Sequence, residues 1–145
     1  MKKIIIINGP NLNLLGNRET DIYGKTTLSE IEQLSKNKAN ELNLEISFFQ
    51  SNSESEIINL IHKTQNDFDG LIINPAAYTH TSVALLDALK TISKPKIEIH
   101  LSNILKREDY RKNSITSEGV NGIICGFGPL SYILAIEAMY SLLVK

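Results

Sequence analysis

Imidazole, phenol, guanidinium and amide side chains gather at a few points of this sequence, each just after a short apolar run. The segments are Asn8-Gly9-Pro10-Asn11, then Asn74 through His80, then His100-Leu101-Ser102-Asn103, then Gly126-Phe127-Gly128-Pro129. If the runs are parallel strands, these segments lie at their carboxyl ends, where open α/β sheets bind ligands. Two of the three histidines, His80 and His100, fall on that rim. A histidine or asparagine at a strand end is commonly only a loop cap; it is the convergence of several that points to a site. His62, among Ile58, Leu60 and Ile61, reads as a surface or boundary histidine without a role.

Three further features carry two readings each. Side chains alternate along a strand, so Glu98 and His100 share a face. The carboxylate then either fixes the imidazole's tautomer and favours its protonated form, making His100 a general acid, or forms a buried structural pair with it. The stretch from Pro10 to Gly24 is longer than the usual βα connection of about 2–6 residues and carries Arg18 and Tyr23. It is either a lid in which a guanidinium favours a phenolate base, or a solvated loop with a surface arginine. Asp87 interrupts the apolar turn Val83 to Leu89, either as part of a solvated helix face or as a carboxylate delivered to a neighbouring subunit.

Other chemistries find little here. The sequence has no HExxH, GxSxG or P-loop motif and no GxGxxG after a strand, which weighs against metalloprotease, serine-hydrolase and NTPase readings. Lysines are frequent, but none falls in an apolar strand interior where desolvation would prepare it for Schiff-base chemistry. The single cysteine, Cys125, offers neither an internal disulfide nor a CxxC metal pair. Charge is nearly balanced, 15 Lys and Arg against 16 Asp and Glu, so no basic field exists to hold a nucleic-acid backbone. Arginine occurs only at positions 18, 107 and 111, which singles out each of them. The N-terminal apolar run, Ile4 to Ile7, is too short for a signal peptide, and no run approaches a membrane span, so a soluble cytoplasmic protein is expected.

The elements that must position these residues follow from hydrophobic periodicity. Five β-branched runs predict strands over 3–8, 45–50, 70–74, 96–101 and 122–125, and the unbroken Ile4 to Ile7 suits a strand covered on both faces. Thr27-Leu28-Ser29-Glu30 is a capping box that opens a helix, and Ser53-Glu54-Ser55-Glu56 repeats the signature. Thr81-Ser82 precedes a third helix that ends before Pro95, and a fourth runs from about Pro129 to Val144. That last helix is apolar over most of its circumference and buries either within the domain or against another chain. A short helix is expected between the fourth and fifth strands. With 145 residues, 42% of them hydrophobic, the chain suits one domain over 1–145. The predicted class is α/β: a flavodoxin-like, doubly wound, five-stranded parallel sheet with helices on both faces.

Three long motifs go further. Asn8-Gly9-Pro10-Asn11-Leu12-Asn13-Leu14-Leu15-Gly16-Asn17-Arg18-Glu19 with Tyr23-Gly24, Ile73-Asn74-Pro75-Ala76-Ala77-Tyr78-Thr79-His80-Thr81-Ser82, and Glu98-Ile99-His100-Leu101-Ser102-Asn103 with Arg107 and Arg111 together resemble the type II 3-dehydroquinate dehydratases. The likeness spans essentially the whole chain. It implies a flavodoxin-like fold, a dodecamer built from trimers, no cofactor or metal, and a step of the shikimate route to aromatic amino acids. By residue, it makes Tyr23 the base that removes a proton beside the ketone, with Arg18 favouring its phenolate. Asn11 would place a water that stabilises the enolate, and His100, supported by Glu98, would protonate the departing hydroxyl. Asn74, His80 and Arg111 would contact substrate hydroxyls and carboxylate, and the backbone amides of Leu101 and Ser102 would face the carboxylate. Asp87 would reach a neighbouring subunit's site.

Two positions depart from the pattern: Ala76, where the family usually has glycine, and Ser131, where the last helix commonly begins Gly-Tyr. The first adds a methyl near a substrate-facing turn; the second affects local backbone conformation. A different class of function, a flavin- or nucleotide-binding module without catalysis, fits the same fold. A catabolic role on quinate would use identical chemistry.

Overall fold

The computed structural model describes residues 1–17 and 19–144. Five strands, β1 (Lys2–Asn8), β2 (Leu44–Gln50), β3 (Gly70–Asn74), β4 (Lys96–His100) and β5 (Gly122–Cys125), lie in the order β2-β1-β3-β4-β5, and every pairing is parallel. This is the flavodoxin-like order, in which β2 and β3 flank β1 and create a switch point at its carboxyl end. Register brings Asn8 of β1 opposite Asn74 of β3, so two polar strand ends meet there.

The Ile4 to Ile7 run shows why the sheet is covered twice. Ile4 and Ile6 pack into one core with Ile31, Tyr132, Ile136 and Met139, whereas Ile5 and Ile7 join a second with Ile57, Ile61, Leu85 and Leu89. The first core lies under α2 (Leu28–Glu41) and α5 (Leu130–Leu143), and the second under α3 (Glu54–Asp67) and α4 (Val83–Lys90). Three of these helices, α2, α3 and α4, begin at a residue whose side chain ties off the first turn. Thr27 and Glu30 form the full reciprocal box, while Ser53 and Ser82 accept from the amides of Glu56 and Leu85. Among the described residues the reciprocal half of the box expected at Ser53 is not made.

The connection after β1 is more ordered than a solvated loop. It contains a 3₁₀ turn, Leu12–Leu14, and a single helical turn, α1 (Thr20–Tyr23), and buries Leu12 and Leu15 in the first core. Its length therefore reflects two apolar anchors. Between β4 and β5 three 3₁₀ turns, Ile104–Lys106, Asp109–Arg111 and Thr116–Gly119, take the place of the one expected short helix. In α5, Tyr132, Ala135, Ile136 and Met139 face the core, and Leu130, Leu134 and Leu142 stay exposed in the single chain. No helix among the described residues is long and apolar enough to cross a membrane.

Candidate active site

Gly9 sets the closeness of the rim. A Cβ there would sit 2.6 Å from the carbonyl oxygen of Pro75, while the Gly9 amide donates to the Asn74 carbonyl at 2.8 Å. Only glycine lets the chain leave β1 so near to the chain leaving β3. Both segments then wall a cleft, open to solvent, at the carboxyl ends of β1, β3 and β4.

Two buried networks hold the cleft from beneath. In the first, the Tyr132 hydroxyl donates to Asn8 Oδ1 at 2.6 Å and accepts from Asn74 Nδ2 at 3.0 Å. Asn74 Oδ1 accepts from the amide of Ala76 at 3.2 Å. Asn74 is thus a cleft-lining residue whose amide group is already engaged in shaping the turn, besides any contact it makes with a ligand. Ala76 has φ +53, in the left-handed region. That conformation is easy for glycine and costly for alanine, which is a physical reason for the glycine expected at this position from the sequence. Ser131, the other departure, is buried, and its hydroxyl accepts from the Phe127 amide at 3.3 Å.

The second network lies under β4. His100 Nε2 is 2.7 Å from Glu98 Oε2, and Glu98 is fully buried behind it. Burial alone would push the Glu98 carboxyl up; the hydrogen bond and charge of His100, with the hydroxyls of Thr116 and Thr79, together outweigh it and hold the carboxyl below the usual range. Glu98 is therefore an acceptor, Nε2 carries a hydrogen, and Nδ1 is the ring nitrogen left for the cleft. His80 is oriented the other way. Its Nδ1 lies 2.8 Å from the Asn113 carbonyl, which can only accept, so Nε2 is free to accept from a bound hydroxyl.

Of the residues singled out in the sequence, Asn11, Tyr23, Asn74, His80, His100, Leu101, Ser102 and Arg111 all line this one cleft. Asn11 adopts a left-handed conformation (φ 68), which asparagine tolerates, and its amide is fixed by Asn52 Oδ1 at 2.9 Å. Arg111 is held by Glu108, Nε to Oε2 at 2.9 Å. Glu98 supports the site without lining it. Asp87 sits exposed on α4, outside the cleft of its own chain. Arg18 lies outside the described residues.

Arg107 also lines the cleft, a position to which the sequence gives no role. Arg107 Nη1 donates to the Tyr23 hydroxyl at 2.7 Å, and its guanidinium carbon lies 5.2 Å from the centre of the tyrosine ring. A cationic donor binds a phenol oxygen more strongly as that oxygen gains negative charge. The scarcity of arginine marked Arg107, but its partner is 84 residues away in sequence, so only the fold pairs them.

A doubly wound parallel sheet with a polar switch-point cleft, a cation-held phenol and a carboxylate-held imidazole defines a protein of the proton-transfer type, able to take a proton at one group and give one at another. The chain matches the family described as dehydroquinase class II over residues 2–140 and belongs to it. It is 54% identical over 139 residues to a 3-dehydroquinate dehydratase of Thermoanaerobacter pseudethanolicus, covering 96% of this chain and 94% of that one. Its fold matches the crystal structure of a type II dehydroquinase from Butyrivibrio crossotus, with TM-score 0.93 and 44% identity over 95% of this chain and 97% of that one. It also matches that of a type II dehydroquinase from Propionibacterium acnes, with TM-score 0.94 and 39% identity over 97% of each chain.

Proposed function

We propose that this chain is a type II dehydratase that converts 3-dehydroquinate to 3-dehydroshikimate and water through an enolate. The observation that carries the reading is the pairing, within one cleft, of Tyr23 held by Arg107 and His100 held by Glu98. Removing water beside a ketone requires a base, a stabiliser for the enolate and an acid.

Tyr23, as phenolate, takes the proton from the carbon next to the ketone. The C–H electron pair moves into the ring and the carbonyl oxygen becomes an enolate oxygen. Asn11, fixed at the mouth of β1, places a water that donates to that oxygen, so the developing charge meets dipoles already in position. The enolate then reforms the carbonyl, the new C=C bond forms, and the C–O bond to the departing hydroxyl breaks. His100 Nδ1 supplies the proton that makes this hydroxyl a water, in an anti elimination.

Substrate hydroxyls are matched to His80 and Asn74, and the carboxylate to Arg111 and the backbone amides of Leu101 and Ser102, all of which line the cleft. Arg18 joins Arg107 as a second cation for the Tyr23 phenolate. The chain works in the cytoplasm, in the shikimate route to aromatic amino acids, as a dodecamer of trimers. In that assembly the exposed Asp87 meets a neighbouring subunit's site, and the apolar residues left outside in one chain, Phe127, Leu130 and Leu134 among them, support association. Tyr23→Phe tests the reading: turnover is lost while ligand binding is largely kept, since the change removes the proton acceptor and little contact area. Near-normal turnover in that variant rejects Tyr23 as the base.

A further inference from the structure

Glu98 is surrounded by hydroxyls. Its Oε2 accepts from Thr79 Oγ1 at 2.9 Å and from Ser114 Oγ at 2.9 Å, besides His100 Nε2, and its Oε1 accepts from Thr116 Oγ1 at 2.5 Å. The three hydroxyls also touch one another: Thr79 Oγ1 is 2.6 Å from Ser114 Oγ and 2.7 Å from Thr116 Oγ1. Thr79 and Thr116 are fully buried. They arrive from different parts of the chain, Thr79 from the turn after β3 and Thr116 from the last 3₁₀ turn before β5.

This arrangement has an electrostatic direction. Three hydroxyls have three hydrogens for five oxygen contacts, and a carboxylate, which only accepts, draws them more strongly than another hydroxyl does. Among the described residues, His100 is the one ionisable side chain that contacts Glu98; Tyr23, His80, Arg107 and Arg111 line the cleft, which Glu98 does not. A buried carboxylate is costly to maintain, and a neutral pair of similar volume would pack this space at lower cost. Three donors converging on it keep a negative charge where only His100 can feel it at contact distance.

We propose that Thr79, Ser114 and above all Thr116 are positioning residues for the dehydration, acting through Glu98. Their hydroxyls hold the carboxylate charged and fixed, and the carboxylate in turn holds the His100 ring with Nε2–H toward it and Nδ1 toward the departing hydroxyl. None of the three touches the reacting atoms. The inference rests on the assignment of His100 as the acid.

Thr116→Val keeps the shape of the side chain and removes its donor, while Thr116→Ser keeps the donor. With 3-dehydroquinate as substrate, Thr116→Val lowers kcat by about tenfold or more with KM nearly unchanged, and Thr116→Ser recovers most of the loss. In a Glu98→Gln background the same Thr116→Val change costs less than about twofold, because the group through which it acts is gone. A second measurement needs no substrate: carbon NMR of labelled Glu98 in the ligand-free protein follows its carboxyl titration, which moves to higher pH in Thr116→Val. If Thr116→Val does not fold, Ser114→Ala, at a half-buried position, is read the same way. An unmoved Glu98 titration, or an equal loss of kcat with and without Glu98, overturns the proposal. Failure of the folded wild-type protein to dehydrate 3-dehydroquinate is a different result; it rejects the assigned function and leaves the titration as the test of the cradle.

Discussion

Tyr132→Phe isolates one hydroxyl at the junction between fold and site. The phenol is fully buried, and burial pushes it so far up that it stays protonated and donates at any working pH. Phenylalanine preserves the ring and its packing, including the tilted contact with Phe48 at 6.3 Å between centroids. What is lost is the donor to Asn8 Oδ1 and the acceptor for Asn74 Nδ2. Each buried group left unpaired costs about 1–3 kcal/mol, and the hydroxyl's own desolvation, no longer incurred, offsets part, leaving a net loss of roughly 2–4 kcal/mol. For a chain of 145 residues the unfolding entropy converts each kcal/mol into about 3 °C, so the midpoint falls by roughly 6–12 °C. The assay is thermal and urea unfolding of both proteins at one fixed concentration, because assembly would make the midpoint concentration-dependent. Catalytic efficiency falls as well, since Asn74, whose Oδ1 anchors the Ala76 amide, loses the partner that fixes its Nδ2. A stability loss below about 0.5 kcal/mol would refute the reasoning, showing that the two asparagines find other partners at no cost.

Arg107→Met removes the charged donor to Tyr23, a bond of a class that contributes about 1.5–3 kcal/mol, so kcat falls by up to roughly 150-fold; unchanged kcat would separate Arg107 from the base. Ala76→Gly relieves the left-handed alanine by about 1–2 kcal/mol, and the greater freedom of glycine in the unfolded chain returns about 0.4–1 kcal/mol of that. The variant is thus as stable as the parent or up to about 1.5 kcal/mol more stable, and calorimetry showing clear destabilisation would mean that the methyl contributes packing of its own. Sedimentation of the purified protein yields a species of twelve chains; a monomer would remove the role given to Asp87.

The fold was legible because its signals are local. β-branched runs set the strands to within a residue at each end, and Thr27, Ser53 and Ser82 mark helix starts whose side chains each accept from the first turn, although among the described residues only Thr27 completes the reciprocal box. The Glu98–His100 pair was legible too, since a period of two places both side chains on one face. Arg107 and the hydroxyls of Thr79, Ser114 and Thr116 were not. Their partners are separated from them by 84, 19, 16 and 18 residues, and serine and threonine are too common for their type alone to mark them. The two apolar anchors of the loop after β1 were not legible either, because the burial of Leu12 and Leu15 depends on the packing of α2 and α5, which no short window contains.

The central claim is tested most directly by adding 3-dehydroquinate to the purified protein and following the ultraviolet absorbance of the conjugated enone. The same assay is run with a metal chelator and after borohydride treatment in the presence of substrate. An enolate mechanism driven by Tyr23 and His100 predicts enone formation at the same rate under all three conditions. Loss of the rate with chelator or borohydride would contradict that mechanism, and absence of enone from folded wild-type protein would contradict the assignment as a dehydratase.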